Sequence, residues 1–283
     1  MPHLSLIEKS LVTGLLSGGL YGLLALGLSM SWGLLRLVNI GHFAMALLGA
    51  YLTWFMGTQL DIAPWLSGPI IIAAFFLYGI ALHWVFMRFG VTEMQSMLIT
   101  FALAVIVEAS IQTLWTADFR RFETPWGRQS WIAGSLYVPK LNLLAFVVAA
   151  LLAASTWAWL RYTYVGRALR ACAEDAPIAT AFGINHRGLS FLLSGLCAAY
   201  AAVAGLFIAL VATLAPSEIW TWIGVVFAVV IIGRLGNPLG ALAGGILIGV
   251  CEALTMAMVN PSWAPLVSFS VLIALLLFRP RWI

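Results

Sequence analysis

Long apolar runs separated by short polar interruptions dominate the chain, and they predict a bundle of membrane-spanning helices. A helix needs roughly 20 apolar residues to cross a bilayer. On that rule the predicted spans are 10–34, 38–57, 65–87, 94–116, 141–160, 187–212, 218–233, 238–258 and 264–278. The runs do not alternate as barrel strands do. The predicted fold is therefore all-α, a polytopic bundle of about eight or nine helices that forms one membrane domain over residues 1–283.

One polar stretch, GRALRACAEDAPIATAFGIN at 166–185, interrupts this pattern. Charged residues make up only 8% of the chain, yet this stretch holds four of them, Arg167, Arg170, Glu174 and Asp175. The pattern predicts two short helices in water that join near Asp175. Arg170 and Glu174 are spaced to pair along one face of the first helix.

The second short helix has its own boundary signals. Asp175 is a favourable N-cap, and Pro177 fits the first helical turn. Gly183 suits the C-terminal cap, where the backbone often adopts a left-handed conformation. A water-exposed helical hairpin inside a membrane protein indicates a docking surface or an interfacial element.

A second interruption lies in SWGLLRLVNIGHFAM at 31–45, where Arg36, Asn39 and His42 break the apolar run. Either a short turn or a broken helix inside the protein fits, since irregular backbone at membrane depth needs protein or a cavity around it. If the helix continues, Asn39 and His42 share one face. They would then hydrogen-bond a substrate, or they would satisfy the polar groups of the broken backbone.

Glycines spaced four residues apart predict two close-packing helix faces. Such faces allow helix backbones to approach closely in lipid. The residues are Gly14, Gly18 and Gly22 in the first span and Gly240, Gly244, Gly245 and Gly249 in the eighth.

Two carboxylates, Glu108 and Glu252, lie well inside apolar runs. A charge at membrane depth is costly, so such residues face the bundle interior, a cavity or a partner. Two interpretations remain open for each residue. It forms part of the polar wall of a substrate path, or it has a structural role, either in an interhelical hydrogen bond or as a carboxyl kept neutral by burial.

Composition supports an integral membrane protein and supplies no catalytic chemistry. The chain is 63% hydrophobic with a mean hydropathy of +1.04, and its net charge of +4 supports no nucleic-acid binding. Its three cysteines suggest no disulfide framework. Lys9 and Lys140 are the only lysines and neither follows a glycine, so no phosphate-binding loop is present. The scattered histidines predict no metal site, and no catalytic residue or cofactor is predicted in this chain.

Charge placement predicts an orientation. If 161–186 is cytoplasmic, alternation of the spans places the C-terminus and the arginines Arg36, Arg88, Arg234, Arg279 and Arg281 on the same side. The loop at 117–140 then lies outside. Its cations, Arg120, Arg121, Arg128 and Lys140, partly oppose the positive-inside rule. Its aromatic residues, Trp126, Trp131 and Tyr137, would lie on the membrane interface or face a partner.

The 166–185 stretch resembles the cytoplasmic coupling segment of the permease subunits of branched-chain amino-acid ABC importers. GLYGLLALGLSMSWGLLRLVNIGHFAMALLGAY resembles the first two membrane segments of that family, including its Asn-x2-His motif. IIGRLGNPLGALAGGILIGVCEAL resembles the family's Gly-rich later region. The likeness covers nearly the whole chain, and the chain length resembles the LivH-type subunit of the permease pair.

The resemblance implies partners and roles. Ala179 and Gly183 match the Ala-x3-Gly of the coupling helix, and the four charged residues named above precede it. The resemblance implies two cytoplasmic ATPase subunits that bind ATP and Mg, and an external solute-binding protein. It also implies a second permease subunit, for which a LivM-type sister chain is favoured over a copy of this chain. It also implies a bacterial inner-membrane location among membrane lipids.

Two residues depart from the family pattern. Phe43 follows His42 where the family usually has Gly, and Arg234 stands where Gly-Gly is usual. Both departures bear on the solute and leave the coupling argument intact. The expected solute is a branched-chain amino acid or a related small polar organic molecule.

Two other functions compete with the importer. In the first, the chain alone is an ion-coupled secondary transporter or channel, with Glu108 and Glu252 as ion or proton sites. In the second, the 166–185 hairpin lies on lipid. Leu169, Ile178 and Phe182 are its candidates for an apolar contact, and they suit an ATPase groove equally well.

Overall fold

The computed structural model describes residues 2–124, 127, 129–133, 136–259 and 263–278. Trp126, Arg128, Arg279 and Arg281, which entered the orientation argument, lie outside the described residues. The helices are α1 Pro2–Leu35, α2 Gly41–Gln59, α3 Pro64–Phe89, α4 Glu93–Trp115, α5 Lys140–Tyr162, α6 Tyr164–Glu174, α7 Ala176–Ala181, α8 His186–Val211, α9 Glu218–Gly233, α10 Pro238–Met258 and α11 Ala264–Phe278.

This is a multi-pass helical membrane architecture. Among the described residues, six helices are long and apolar enough to cross a membrane: α1 from Leu6, α3, α4, α5, α8 and α10. Three further helices coincide with predicted spans but are shorter or less apolar: α2 with 19 residues, α9 with 16 and α11 with 15. The count of eight or nine spans therefore stays a prediction.

The helices divide into a buried centre and an exposed periphery. In the most apolar window of α1, 61% of the residues are buried, whereas the corresponding share is 17% in α4. Helices α1, α2, α8, α9 and α10 pack around the central core. Helix α3 packs on α8, α5 packs mainly on α1 and α10 and also touches α8, and α4 packs mainly on α2 at the edge of the bundle. Apolar side chains on those edge helices face the surroundings.

The loop between α4 and α5 contains a feature that the sequence analysis missed. Strands β1 (Ser130–Ala133) and β2 (Leu136–Pro139) pair in antiparallel register, with Ser130 opposite Pro139. The pair is rich in β-favouring residues, since Trp131 stands opposite Val138. The prediction of an all-α fold therefore holds for the membrane bundle, and the loop adds a small sheet.

Candidate coupling surface and membrane pathway

The 166–185 segment folds as two helices with a break at Asp175, as predicted. Helix α6 ends at Glu174, and Oδ1 of Asp175 accepts a hydrogen bond from the amide N of Ile178 at 3.0 Å. At the other end of α7, Gly183 has a φ of +84° and its amide donates to the Thr180 carbonyl at 2.9 Å. The predicted N-cap and C-cap are thus both confirmed.

Helix α6 is fastened to the bundle through its apolar side. Leu169 is 2% exposed and packs with Met30, Leu160 and Leu193. Cys172 is also buried, and burial raises the pKa of its thiol, which keeps the thiol neutral at pH 7. The expectation that Leu169 offers an apolar contact to a partner is therefore wrong, because the core already covers this side chain.

The outer surface of the segment is polar at α6 and apolar at α7. Arg167, Arg170, Glu174, Asp175 and Gly183 are exposed, and Arg170 and Glu174 form no ion pair with each other. Two large apolar side chains are also uncovered, Ile178 at 57% and Phe182 at 84% exposure.

Ala179 differs from its neighbours on α7 because it is only 4% exposed. Its side chain supports the hairpin from inside and leaves the outer contact to the other residues of the segment.

Arg36 connects this segment to the first interruption in the membrane helices, a role that sequence analysis missed. Its Nη2 donates a hydrogen bond to the carbonyl oxygen of Ala173 at 3.0 Å. The guanidinium therefore sits at the C-terminal end of α6, where the helix dipole favours a cation. Arg36 itself has a φ of +54°, which is uncommon for a residue with a side chain.

The backbone from Arg36 to Ile40 is a non-helical break held inside the protein. Helix α1 ends at Leu35 and α2 begins at Gly41. The Ile40 amide donates to Oγ1 of Thr100 on α4 at 3.0 Å, and the Ser31 hydroxyl donates to the Leu37 carbonyl at 3.0 Å. Neighbouring side chains thus satisfy backbone groups that a continuous helix would have paired internally.

Asn39 lies within this break and His42 in the first turn of α2, so they are not neighbours on a continuous helix. His42 is 2% exposed, and its Nε2 lies 3.1 Å from the Leu24 carbonyl, where it donates. Oδ1 of Asn39 is buried without a hydrogen-bond partner among the described residues, as is Nδ1 of His83.

All three side chains line one cavity between α2, α3 and α8. Its volume of about 20 Å³ is too small for an organic solute, since even one water needs roughly 10–15 Å³.

Glu252 on α10 is buried and fully engaged by neighbouring helices. It is 4% exposed, and its Oε2 accepts a hydrogen bond from the Tyr21 hydroxyl at 2.9 Å. The Ser268 hydroxyl on α11 donates to its other oxygen. These contacts favour the second of the two interpretations for this residue, an interhelical hydrogen bond.

Glu108 occupies a different environment at the edge of the bundle. It is half-buried on α4, and Oε2 accepts a hydrogen bond from Nε1 of Trp220 on α9 at 2.8 Å. Oε1 accepts from the Gln112 amide at 3.3 Å. Gln112, one turn further along α4, is exposed, so this polar pair lies at an edge of the bundle that the chain itself leaves partly uncovered.

The glycines of α1 and α10 lie against each other. A Cβ on Gly14 would come within 2.7 Å of the Gly249 carbonyl oxygen, and a Cβ on Gly18 within 2.6 Å of that of Gly245. Gly22 lies against Leu242 in the same contact. Such backbone proximity excludes any larger residue at these positions.

The other two glycines of α10 face α9. A Cβ on Gly244 would come within 2.7 Å of the Val229 carbonyl oxygen, and Gly240 lies against Gly233. Helix α10 therefore has glycine contacts on two sides.

Comparison with known proteins places these features in a family. The LivH permease of the high-affinity branched-chain amino acid transport system of Escherichia coli K12 is 27% identical over 290 residues, covering 97% of this chain and 94% of LivH. The corresponding BraD permease of Pseudomonas aeruginosa is 27% identical over 305 residues, covering 100% and 97%. A probable LivH of Methanocaldococcus jannaschii is 28% identical over 305 residues, covering 96% and 91%. No solved structure matches.

The family model described as branched-chain amino acid transport system / permease component matches residues 10–276. That range includes most of α1, the other helices that form the core, the broken segment and the 166–185 segment. This chain belongs to the family of branched-chain amino acid transport system permease components.

Proposed function

We propose that this chain is the membrane permease subunit of an ATP-driven importer for branched-chain amino acids or a related small polar organic solute, located in the bacterial inner membrane. The observation that carries the proposal is the 166–185 segment. It is buried on one side and presents exposed cations with two exposed apolar side chains on the other. Such a surface suits a protein groove better than lipid, because exposed cations of α6 and exposed apolar side chains of α7 occur within one short segment.

The partner on this surface is a cytoplasmic ATPase subunit, and the importer holds two of them. ATP and Mg bind to those subunits, since this chain has no phosphate-binding loop. Ile178 and Phe182 fill the groove of the ATPase, and Arg167 and Arg170 contact its rim. Asp175, Ala179 and Gly183 set the shape of the hairpin, and Glu174 contributes to its exposed charge.

Motion passes from the ATPase to the membrane helices through α6. Leu169 of α6 packs on Met30, Leu160 and Leu193 of the bundle. This packing makes α6 a rigid extension of the bundle. The Arg36 hydrogen bond to Ala173 links α6 to the break that carries Asn39. A displacement of the segment therefore acts on the break, which switches between two arrangements that nucleotide binding biases.

The translocation path involves Asn39, His42 and Glu108, with a second permease subunit closing it. Glu108 and Gln112 lie at the partly uncovered edge of α4, where contact with lipid would be unfavourable. A LivM-type sister chain packs on this face. The solute-binding protein delivers solute on the side of the 117–140 loop, and the C-terminus lies in the cytoplasm. Glu252 supports the path indirectly, by holding α1, α10 and α11 together.

A charge reversal tests the coupling surface. The permease is expressed in its native host, purified through a tag, and assayed for co-purified ATPase and for solute uptake. Arg170→Glu and Phe182→Ala are expected to lower both at least five-fold. Arg121→Glu is the matched control on the opposite side of the membrane, and it is expected to retain the ATPase fully. Unchanged ATPase retention and uptake in both test variants would refute the coupling role.

The secondary-transporter alternative predicts a different result in liposomes. Liposomes that contain this chain alone, with no ATPase present, would then take up solute under an ion gradient. The importer predicts no uptake until ATPases and ATP are supplied, so gradient-driven uptake by the isolated chain contradicts it.

A further inference from the structure

A long apolar cleft opens on the outer surface of the bundle between α3 and α5. Both helices pack on α8 and leave a gap of about 500 Å³ between them. The gap is within the size range of roughly 300–1,000 Å³ that is typical of small-molecule sites. Its floor is formed by Leu206, Phe207 and Leu210 of α8, and Leu144 lines one wall.

Small and ring-shaped residues keep the cleft open. Gly68 and Pro69 of α3 line it, and a Cβ on Gly68 would come within 2.5 Å of a methyl group of Leu206. Pro69 stands in the interior of a helix, a position that bilayer proteins tolerate but that removes a backbone donor. A side chain at position 68 would narrow the space that α3 leaves.

One end of the cleft is polar and cationic. Lys140, the first residue of α5, lies at this end together with Gln129. Lys140 is exposed, and its Nζ donates a hydrogen bond to Oε1 of Gln129 at 3.0 Å. No carboxylate forms an ion pair with Lys140 in the described part of the chain. Trp65, at the start of α3, also lines this end and is 58% exposed, as tryptophans at a membrane interface often are.

We infer that this cleft binds an anionic phospholipid, with an acyl chain between α3 and α5 and the headgroup phosphate on Lys140. The apolar length of the cleft lies within the membrane-spanning part of α3, α5 and α8, where acyl chains are the surrounding medium. The ammonium group stands where those helices begin or end, at headgroup level. A single cation at the end of an apolar cleft is complementary to a lipid phosphate at the end of an acyl chain. The positive charge favours an anionic lipid over a zwitterionic one.

The cleft is distinct from the polar face of α4. The residues that line it carry no carboxylate, and only Lys140 and Gln129 among them are strongly polar. A second permease subunit on α4 therefore leaves this site to lipid. The inference stands independently of the proposed coupling to ATPases.

The test measures lipid retained by the full-length chain. The protein is reconstituted in liposomes of equal parts phosphatidylglycerol and phosphatidylcholine, extracted in mild detergent, and analysed by native mass spectrometry. Wild type is expected to retain phosphatidylglycerol about five-fold more than phosphatidylcholine, the preference that one interfacial cation supplies. Lys140→Met is expected to abolish that preference, and Arg88→Met, at the opposite end of α3, to leave it intact.

A second pair of variants tests the apolar part. Leu144→Trp fills the cleft and is expected to lower retention of both lipids, whereas Leu151→Trp, two turns further along the same exposed face of α5, is expected to retain both. Inorganic phosphate is expected to displace neither lipid. Equal retention of the two lipids by wild type, an equal effect of Arg88→Met, or displacement by phosphate would overturn the inference.

Discussion

Glu252 and Glu108 are both intramembrane carboxylates, yet they lie in opposite parts of the molecule. Glu252 is buried where α1, α10 and α11 meet, and both of its oxygens accept hydroxyl donors from other helices. Glu108 is half-buried at the edge, where its partners are Trp220 and the neighbouring Gln112.

This difference in environment predicts different roles for the two carboxylates, one in stability and one in transport. A carboxyl group whose hydrogen bonds are all satisfied inside a core holds helices together, and its loss affects stability. A carboxyl group on an uncovered face does little for the isolated chain and is available to a partner or a solute. The α1–α10 core and the α4 edge are therefore expected to respond differently to substitution.

The largest expected effect comes from wedging the core apart. Gly18→Leu places a side chain where the backbone of Gly245 already lies within 2.6 Å of the added Cβ. Backbone atoms cannot move aside without separating the helices, so we expect a loss of about 3 kcal/mol or failure to fold. Thermal unfolding in detergent measures it. Ala102→Leu on the exposed side of α4 is the control, with a change below about 0.5 kcal/mol. Similar losses in both variants would contradict the contrast.

Removing the core carboxylate is expected to have the next largest effect. Glu252→Ala leaves the hydroxyl groups of Tyr21 and Ser268 without their acceptor, at a cost of about 2 kcal/mol. Glu252→Gln keeps the size and one acceptor and is expected to cost less. Glu108→Ala is the matched edge variant, expected to stay within about 0.5 kcal/mol of wild type. Equal melting temperatures for the two alanine variants would remove the distinction.

For solute uptake by the assembled importer, substitution at the edge is expected to have a larger effect than substitution in the core, the reverse of the order expected for stability. Glu108→Gln is expected to lower uptake about five-fold at unchanged protein stability, because the proposed path runs along its face. Ser268→Ala, which removes one donor to the core carboxylate, is expected to retain uptake within about two-fold when assayed below its melting temperature. Radiolabelled solute uptake in cells that lack the native permease provides the measurement. Wild-type uptake by Glu108→Gln would exclude this residue from the path.

The smallest expected effect is the coupling energy between each carboxylate and the side chain that donates a hydrogen bond to it. A double-mutant cycle of Tyr21→Phe and Glu252→Gln is expected to give about 0.6 kcal/mol, the average for interhelical hydrogen bonds in a membrane protein. The corresponding cycle of Trp220→Phe and Glu108→Gln is expected to give less, because Gln112 remains as another hydrogen-bond partner at position 108. Chemical or thermal unfolding of the purified variants yields both values. A larger coupling at the edge would invert the comparison.

Hydropathy was sufficient to locate the helices, because each run is long and its ends are polar. The break of the 166–185 segment was also predictable, since Asp175 and Gly183 act through local backbone geometry. Glu108 and Glu252 looked equivalent in sequence because their neighbours along the chain are alike. Their difference depends on which helix lies opposite, and a single sequence does not contain that information.

Contacts between distant residues were the main omission. Arg36 was assigned to an orientation argument, but its hydrogen bond reaches Ala173, far along the chain. The same limit hid the burial of Leu169 and Ala179, since both lie in a segment whose composition resembles a solvated hairpin. Helical periodicity shows which residues share a face, whereas burial depends on what covers that face.

The unequal lengths of the helices have a consequence for the surrounding bilayer. At about 1.5 Å per residue, α9, with 16 residues, is about 24 Å long, and it packs against α11. Helix α9 is shorter than a hydrocarbon layer of roughly 30 Å. The 34-residue α1 exceeds it even when tilted. On the side of the bundle where α9 lies, the hydrophobic length of the protein is therefore smaller than the thickness of the hydrocarbon layer, and the membrane thins there to match it. Membrane thickness thereby becomes a variable to which this side of the bundle responds.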